Sequence, residues 1–157
     1  MKKHHLPVRV QFWLRAKQFN CSNISGHGTQ NFVEAISNSC NPAFIQIGQM
    51  LGAGKFRQYY QGFGFSDKTG IDLPGEAEDS FWKEGKMGGV DLAVASFGQN
   101  FSITPIQMIT ACAAVSNGGY VVQPHVVSKI TDSKGNVIKT VDKKSKDRLF
   151  QTIHPRR

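Results

Sequence analysis

The run from Pro105 to Val115 contains no charged residue, and it opens on Thr104-Pro105-Ile106-Gln107. There a Thr-x-x-Gln capping box coincides with proline at the first helical position. A helix that is apolar all round is normally buried on every side. The spacing therefore predicts a core helix that ends at Asn117-Gly118-Gly119. At 157 residues and 39% hydrophobic content, the chain is within the size range of one globular domain.

Other helices can be read around it. Thr29 is expected to cap a helix whose Phe32, Val33 and Ile36 share one face. The chain then turns from Ser37 to Asn41. Asn41-Pro42 reads as an N-cap followed by proline, opening a helix with Phe44, Ile45, Ile47, Met50 and Leu51 that Gly52 stops. A short amphipathic piece, Lys55 to Gln61, runs into Tyr59, Tyr60, Phe63 and Phe65, an aromatic group suited to core packing. Ser66 to Gly89 reads as a long irregular connection, and loops of that length tend to be functional or packed. Val90 to Phe97 predicts a further helix closed by Gly98. Val126, Val127 and Ile130, then Asp132 to Asn136, then Val137, Ile138 and Val141 form a hairpin signal.

The formal charge of +8 at first suggests an anionic partner. Its distribution argues otherwise: residues 1–17 hold +5, residues 129–157 hold +6, and the middle holds −3. Basic ends are ordinarily solvated tails, so no nucleic-acid partner is expected. Cys21, Cys40 and Cys112 are odd in number and lack the close spacing of zinc ligands, and His27, His125 and His154 are isolated. Neither a disulfide framework nor a metal site is expected, and no cofactor is implied. Leu6 to Leu14 is broken by Pro7, Arg9 and Gln11, which makes it too short and polar for a signal peptide or membrane span. The chain expressed alone is expected to stay in the cytoplasm.

The ordered set of motifs resembles a known family. Gly26-His27-Gly28-Thr29, Asn38-Ser39-Cys40-Asn41-Pro42, Phe63-Gly64-Phe65 and Thr69-Gly70-Ile71-Asp72-Leu73-Pro74-Gly75-Glu76 come first. Ser96-Phe97-Gly98-Gln99, Thr104-Pro105-Ile106-Gln107 and Asn117-Gly118-Gly119 follow. Residues 20–142 resemble class B penicillin-binding proteins, in the branch of division and stage V sporulation transpeptidases. The resemblance implies an α/β penicillin-binding transpeptidase fold of the β-lactamase-like kind. The fold is expected to be incomplete: a helical subdomain plus a C-terminal hairpin, with most of the central sheet missing. Residues 1–19 and 143–157 are expected to be basic segments outside it.

The family's chemistry is acyl transfer from a peptidoglycan stem peptide through a serine, with β-lactams imitating the donor. Three motifs line its cleft: Ser-x-x-Lys, Ser-x-Asn and Lys-Thr/Ser-Gly. Only the second transfers onto this chain. By resemblance, Ser39 would hydrogen-bond the catalytic lysine and help protonate the leaving group, and Asn41 would donate to the acyl amide carbonyl. The structural alternative makes Asn41 an N-cap and Ser39 a turn residue.

Ser80-Phe81-Trp82-Lys83 and Lys68-Thr69-Gly70 spell the other two motifs, but in the wrong order. The first lies in a charged loop, where its lysine stays solvated and protonated. The second runs into Asp72 and Pro74, unlike an edge strand. The expected function is thus a fragment of a D,D-transpeptidase that is inactive alone, its membrane anchor and nucleophile missing. Division or sporulation proteins are its expected partners, and the alternative is a non-catalytic cell-wall or divisome interaction module.

Overall fold

The computed structural model describes residues 5–7, 11–14, 17–77, 80–142 and 145–148. The strands are β1 (His5–Pro7), β2 (Gln11–Leu14), β3 (Lys17–Asn20), β4 (Thr29–Asn31), β5 (Tyr120–Val122), β6 (Lys129–Thr131), β7 (Val137–Thr140) and β8 (Ser145–Arg148). The helices are α1 (Phe32–Ser37), α2 (Asn41–Leu51), α3 (Ala53–Gly62), α4 (Gly89–Ser96) and α5 (Pro105–Ser116). Among the described residues the strands pair antiparallel in four two-stranded ladders: β1–β4, β2–β3, β5–β8 and β6–β7. Among the described residues no larger sheet forms, so the helices dominate, as the sequence implies. No helix among them is long and apolar enough to cross a membrane.

The chain divides into two compact units, Met1–Phe56 with Trp82–Phe101, and Arg57–Phe81 with Ser102–Arg157. In the first, α2 buries Pro42, Ala43, Ile45 and Gly48, and α4 buries Leu92, Ala93 and Ala95. Small residues allow the two helices to approach closely. A Cβ built on Gly48 would lie 1.8 Å from Ser96 Oγ and 2.7 Å from Ser96 Cβ. Cys21, Ala35, Cys40 and Ala43 form a second buried cluster beside this contact.

The start of α1 differs from expectation. Asn31, not Thr29, is the cap: its Oδ1 accepts from the Glu34 N–H at 3.0 Å, and the Glu34 carboxylate accepts from the Asn31 N–H at 2.7 Å. Thr29 belongs to β4, where it pairs with Pro7. Phe32, Val33 and Ile36 are all exposed, and Ala35 is the residue of α1 that is buried. The cap of α2 also shifts by one. Cys40 holds the extended N-cap conformation, and Asn41 is already helical, which puts Pro42 in the second helical position.

In the second unit, Tyr60 is buried, with its ring stacked on Phe81 at 3.7 Å and tilted against Phe65 at 5.3 Å. Tyr60 is therefore core, and Tyr59, Phe63 and Phe65 are half-buried around it. The capping box of α5 forms as expected, Thr104 Oγ1 accepting from the Gln107 N–H and Gln107 Oε1 accepting from the Thr104 N–H. Gln107 is only 2% exposed, and its Nε2 also donates to the carbonyls of Phe65 and Asp67. Only one face of α5 is covered. Gln107, Thr110, Ala111 and Ala114 are buried, whereas Met108, Ile109 and Val115 are 47%, 63% and 67% exposed. The expected all-round burial does not occur: among the described residues no sheet of more than two strands is present to cover the other face.

The hairpin β6–β7 closes through Asp132. Its Oδ1 accepts from the N–H groups of Lys134 and Asn136, and its Oδ2 accepts from Asn136 Nδ2. These bonds hold the Asp132 carboxyl below its ordinary range. Val126 and Val127 fall outside the strands, their N–H groups bound instead by Asp72 at 2.7 and 2.9 Å.

Candidate functional site

The turn from Asn38 to Asn41 is built from the end of one helix and the start of the next. α1 closes with the Ser39 N–H bonded to the Ile36 carbonyl at 3.0 Å and the Cys40 N–H bonded to the Ala35 carbonyl at 3.2 Å. This is a Schellman closure, which requires a left-handed residue after the helix, usually glycine. Ser39 fills that place with φ +46°. A non-glycine residue there costs about 1–2 kcal/mol, and such strain is concentrated at functional sites. The Cys40 carbonyl then accepts from the N–H groups of Ala43 and Phe44, which starts α2 with no residue to spare.

The consequence is a fixed presentation of three side chains. Ser39 is exposed, Cys40 is fully buried and Asn41 is half-buried. Ser39 and Asn41 line an open cleft of about 190 Å³ together with Phe44, Ser96 and Phe97. The cleft thus offers two hydroxyls and a carboxamide against two aromatic rings. The Ser96 hydroxyl donates to the Leu92 carbonyl at 2.6 Å, which leaves its oxygen free to accept.

On the buried side, burial pushes the Cys40 thiol up, against the Ala43 N–H and the Gln30 side chain, which pull the other way. Cys21 Sγ lies 3.8 Å from Cys40 Sγ and 3.1 Å from His27 Nδ1. None of these three residues is legible as a ligand in the sequence, because separations of 6 and 19 positions match no regular ligand spacing.

The two lookalike motifs have other occupations. Thr69 donates both its N–H and its hydroxyl to Glu76 Oε1 at 2.6 Å, and the Gly70 N–H donates to Glu76 Oε2 at 3.0 Å. Burial opposes ionisation of Glu76, but the Thr69 and Gly70 bonds and the Lys68 charge outweigh it and hold the carboxyl below its usual range. Gln123 Nε2 donates to the Gly70 carbonyl, so the segment is a pinned loop and not a strand. Ser80 is exposed, and its Oγ accepts from the Ser102 N–H at 3.1 Å. Lys83 is exposed and also lies outside the helices.

Comparison with known proteins shows the family and the fold. The family model described as the penicillin binding protein transpeptidase domain matches residues 5–153. The chain belongs to the penicillin-binding protein transpeptidase family. The matched span runs past both ends of residues 20–142, where the motifs lie. The chain is similar to stage V sporulation protein D of Bacillus subtilis, with 40% identity over 128 residues, 82% of this chain and 20% of that protein. It is also similar to peptidoglycan D,D-transpeptidase MrdA of Acinetobacter baumannii, with 38% identity over 113 residues, 66% of this chain and 17% of that protein. It therefore spans about one fifth of the length of these relatives.

The fold is that of the family's solved transpeptidases. Penicillin-binding protein A of Mycobacterium tuberculosis, solved as an imipenem acyl-enzyme complex, matches 98% of this chain and 37% of its own with TM-score 0.83 and 23% identity. The D,D-transpeptidase domain of an Eggerthella lenta peptidoglycan glycosyltransferase matches 97% of this chain and 40% of its own with TM-score 0.81 and 19% identity.

Proposed function

We propose that residues 20–142 form one wall of the acyl-transfer cleft of a peptidoglycan D,D-transpeptidase. Ser39 relays a proton toward the leaving amine, and Asn41 donates its carboxamide N–H to the amide carbonyl of the acyl donor. That donor is a stem peptide, or a β-lactam in its place. The observation that carries this reading is the Ser39–Asn41 turn, a left-handed serine locked between two helices whose neighbouring carboxamide opens into the same cleft. A rigid pair of polar groups beside aromatic walls suits a peptide-like ligand that must be oriented before reaction.

The acylating serine, its lysine and the carboxylate-binding Lys-Thr-Gly strand are, on this reading, supplied from outside residues 20–142, as is a membrane anchor that holds the domain on the outer side of the cell membrane. Without the nucleophile the covalent step is lost altogether. Division or sporulation proteins are the partners such a domain would meet.

Fluorescent penicillin tests the proposal. The isolated chain is expected to take no covalent label. A chimera of the Bacillus subtilis relative carrying residues 20–142 in place of its own segment is expected to label, and Ser39→Ala or Asn41→Ala to slow acylation by about 10²–10³-fold. Equal labelling of the variants refutes the roles given to these residues. Labelling of the isolated chain that vanishes in Ser80→Ala refutes the reading as a whole.

A further inference from the structure

Cys21 follows β3, His27 sits in the loop after it and Cys40 starts α2, yet their ligand atoms all lie within 4.8 Å of one another. The loop that delivers His27 is tied by Asn23, whose Nδ2 donates to the Gly26 carbonyl and whose Oδ1 accepts from the Ser25 N–H. The Cys21–Cys40 pair has the geometry of a tetrahedral edge. Two thiolates each about 2.3 Å from zinc at the tetrahedral angle stand about 3.8 Å apart, and a thiolate and an imidazole nitrogen about 3.6 Å. The observed separations are 3.8 Å and 3.1 Å. The sulfur pair fits as it stands, and the half-exposed His27 ring has to turn so that Nδ1 stands about 3.6 Å from both sulfurs.

A second observation points the same way. Gln30 is 1% exposed, and its Oε1 accepts from Asn38 Nδ2 at 2.8 Å. Its Nε2 is buried and, among the described residues, has no hydrogen-bond partner, although the Gln30 side chain lies against the Cys40 sulfur. A metal-bound thiolate carries the negative charge to accept that N–H, in the way outer groups steady metal ligands. A disulfide sulfur does not.

We propose that Cys21, His27 and Cys40 bind one zinc ion through two thiolates and Nδ1, with the fourth position open to water. Two S–H bonds are replaced by two Zn–S bonds, two protons pass to solvent, and no electron is transferred. Cys40 is the middle residue of the Ser39–Asn41 turn, so the ion braces that turn from its buried side. The site does not depend on the proposed function.

The test uses the full chain, reduced, metal-free and handled without oxygen. Titration with Co²⁺ is expected to give the strong visible bands of tetrahedral cobalt and thiolate-to-cobalt charge transfer, saturating at one ion per chain and bleached by Zn²⁺. X-ray absorption of the zinc form should show two sulfur neighbours near about 2.3 Å beside lighter ligands near about 2.0 Å. Cys21→Ser and Cys40→Ser should weaken Zn²⁺ binding by roughly 100-fold and His27→Gln by at least roughly 10-fold, while Cys112→Ser leaves it unchanged. His27 lies on a half-exposed loop, so its variant carries the comparison if a cysteine variant does not fold. Weak octahedral cobalt bands, a zinc shell without sulfur, or a Cys21–Cys40 disulfide whose reduction yields no Zn²⁺ binding would each overturn the proposal.

Discussion

Replacing Gly48 by alanine adds a single methyl group where α2 meets α4, and the geometry decides its effect. The new carbon would lie 1.8 Å from Ser96 Oγ and 2.7 Å from Ser96 Cβ. Rotating the serine removes the first clash, at the cost of its bond to the Leu92 carbonyl. It cannot remove the second, which is about 0.8 Å short of an ordinary 3.5 Å carbon contact. The helices must therefore part, and overpacking of this kind costs about 1–3 kcal/mol. Alanine recovers about 1 kcal/mol of helix propensity. With the clash at the upper end because backbone must move, Gly48→Ala should lower stability by about 2 kcal/mol. Urea unfolding followed by circular dichroism measures it. In a Ser96→Gly background the obstruction is gone, and the same substitution should stabilise by up to about 1 kcal/mol, a coupling near 3 kcal/mol. A neutral or favourable Gly48→Ala in the unaltered chain, or an equal effect in both backgrounds, would show that the helices are not in close contact at this point.

Ser39→Gly should relieve the left-handed strain, for a net gain of about 1 kcal/mol or slightly less after the entropy of the unfolded glycine, while slowing acylation in the chimera. Gln107→Ala should destabilise by about 2–3 kcal/mol in a urea melt, since it opens the capping box and leaves the Phe65 and Asp67 carbonyls without their donor. Asp72, Glu76 and Asp132 have carboxyls held below their ordinary values of 3.8, 4.5 and 3.8. The unfolded chain thus binds more protons in that range, so their stabilisation is complete above those values and is lost as the pH falls through the lowered ones. The melting temperature should drop with acid below about pH 4.5, and Glu76→Gln should flatten part of that slope.

Local signals carried the helices well. Thr104 and Gln107 announce the start of α5, Gly52 the end of α2, and the Asp132–Asn136 turn the β6–β7 hairpin, because each is decided by bonds a few residues long. Structure and sequence expectation part where two local solutions compete. Thr29 and Asn31 are both good caps, and the strand pairing of β4 with β1, invisible in a local window, gives the place to Asn31. Asn41 looks like a better cap than Cys40, but the closure of α1 fixes the phase of the following residues. Periodicity put Phe32, Val33 and Ile36 on one face without saying whether anything covers it. At the site, Ser39 and Asn41 were legible as a motif, whereas Ser96 and Phe97 entered the cleft through the packing of α4 on α2. Cys21, His27 and Cys40 carried no readable spacing. Only three tertiary placements bring them together.

Asn41 and Gly48 are seven residues apart on α2, which at about 100° per residue returns them to within about 20° of the same direction. One face of the helix therefore sets both the polar wall of the cleft and the close contact with Ser96, which itself belongs to that wall. Cleft shape and helix register are in this sense a single variable. A residue inserted between Asn41 and Gly48 would turn one against the other by about 100°, and no change of side chain could restore the alignment. The segment should tolerate exchange of its residues far better than any change in their number.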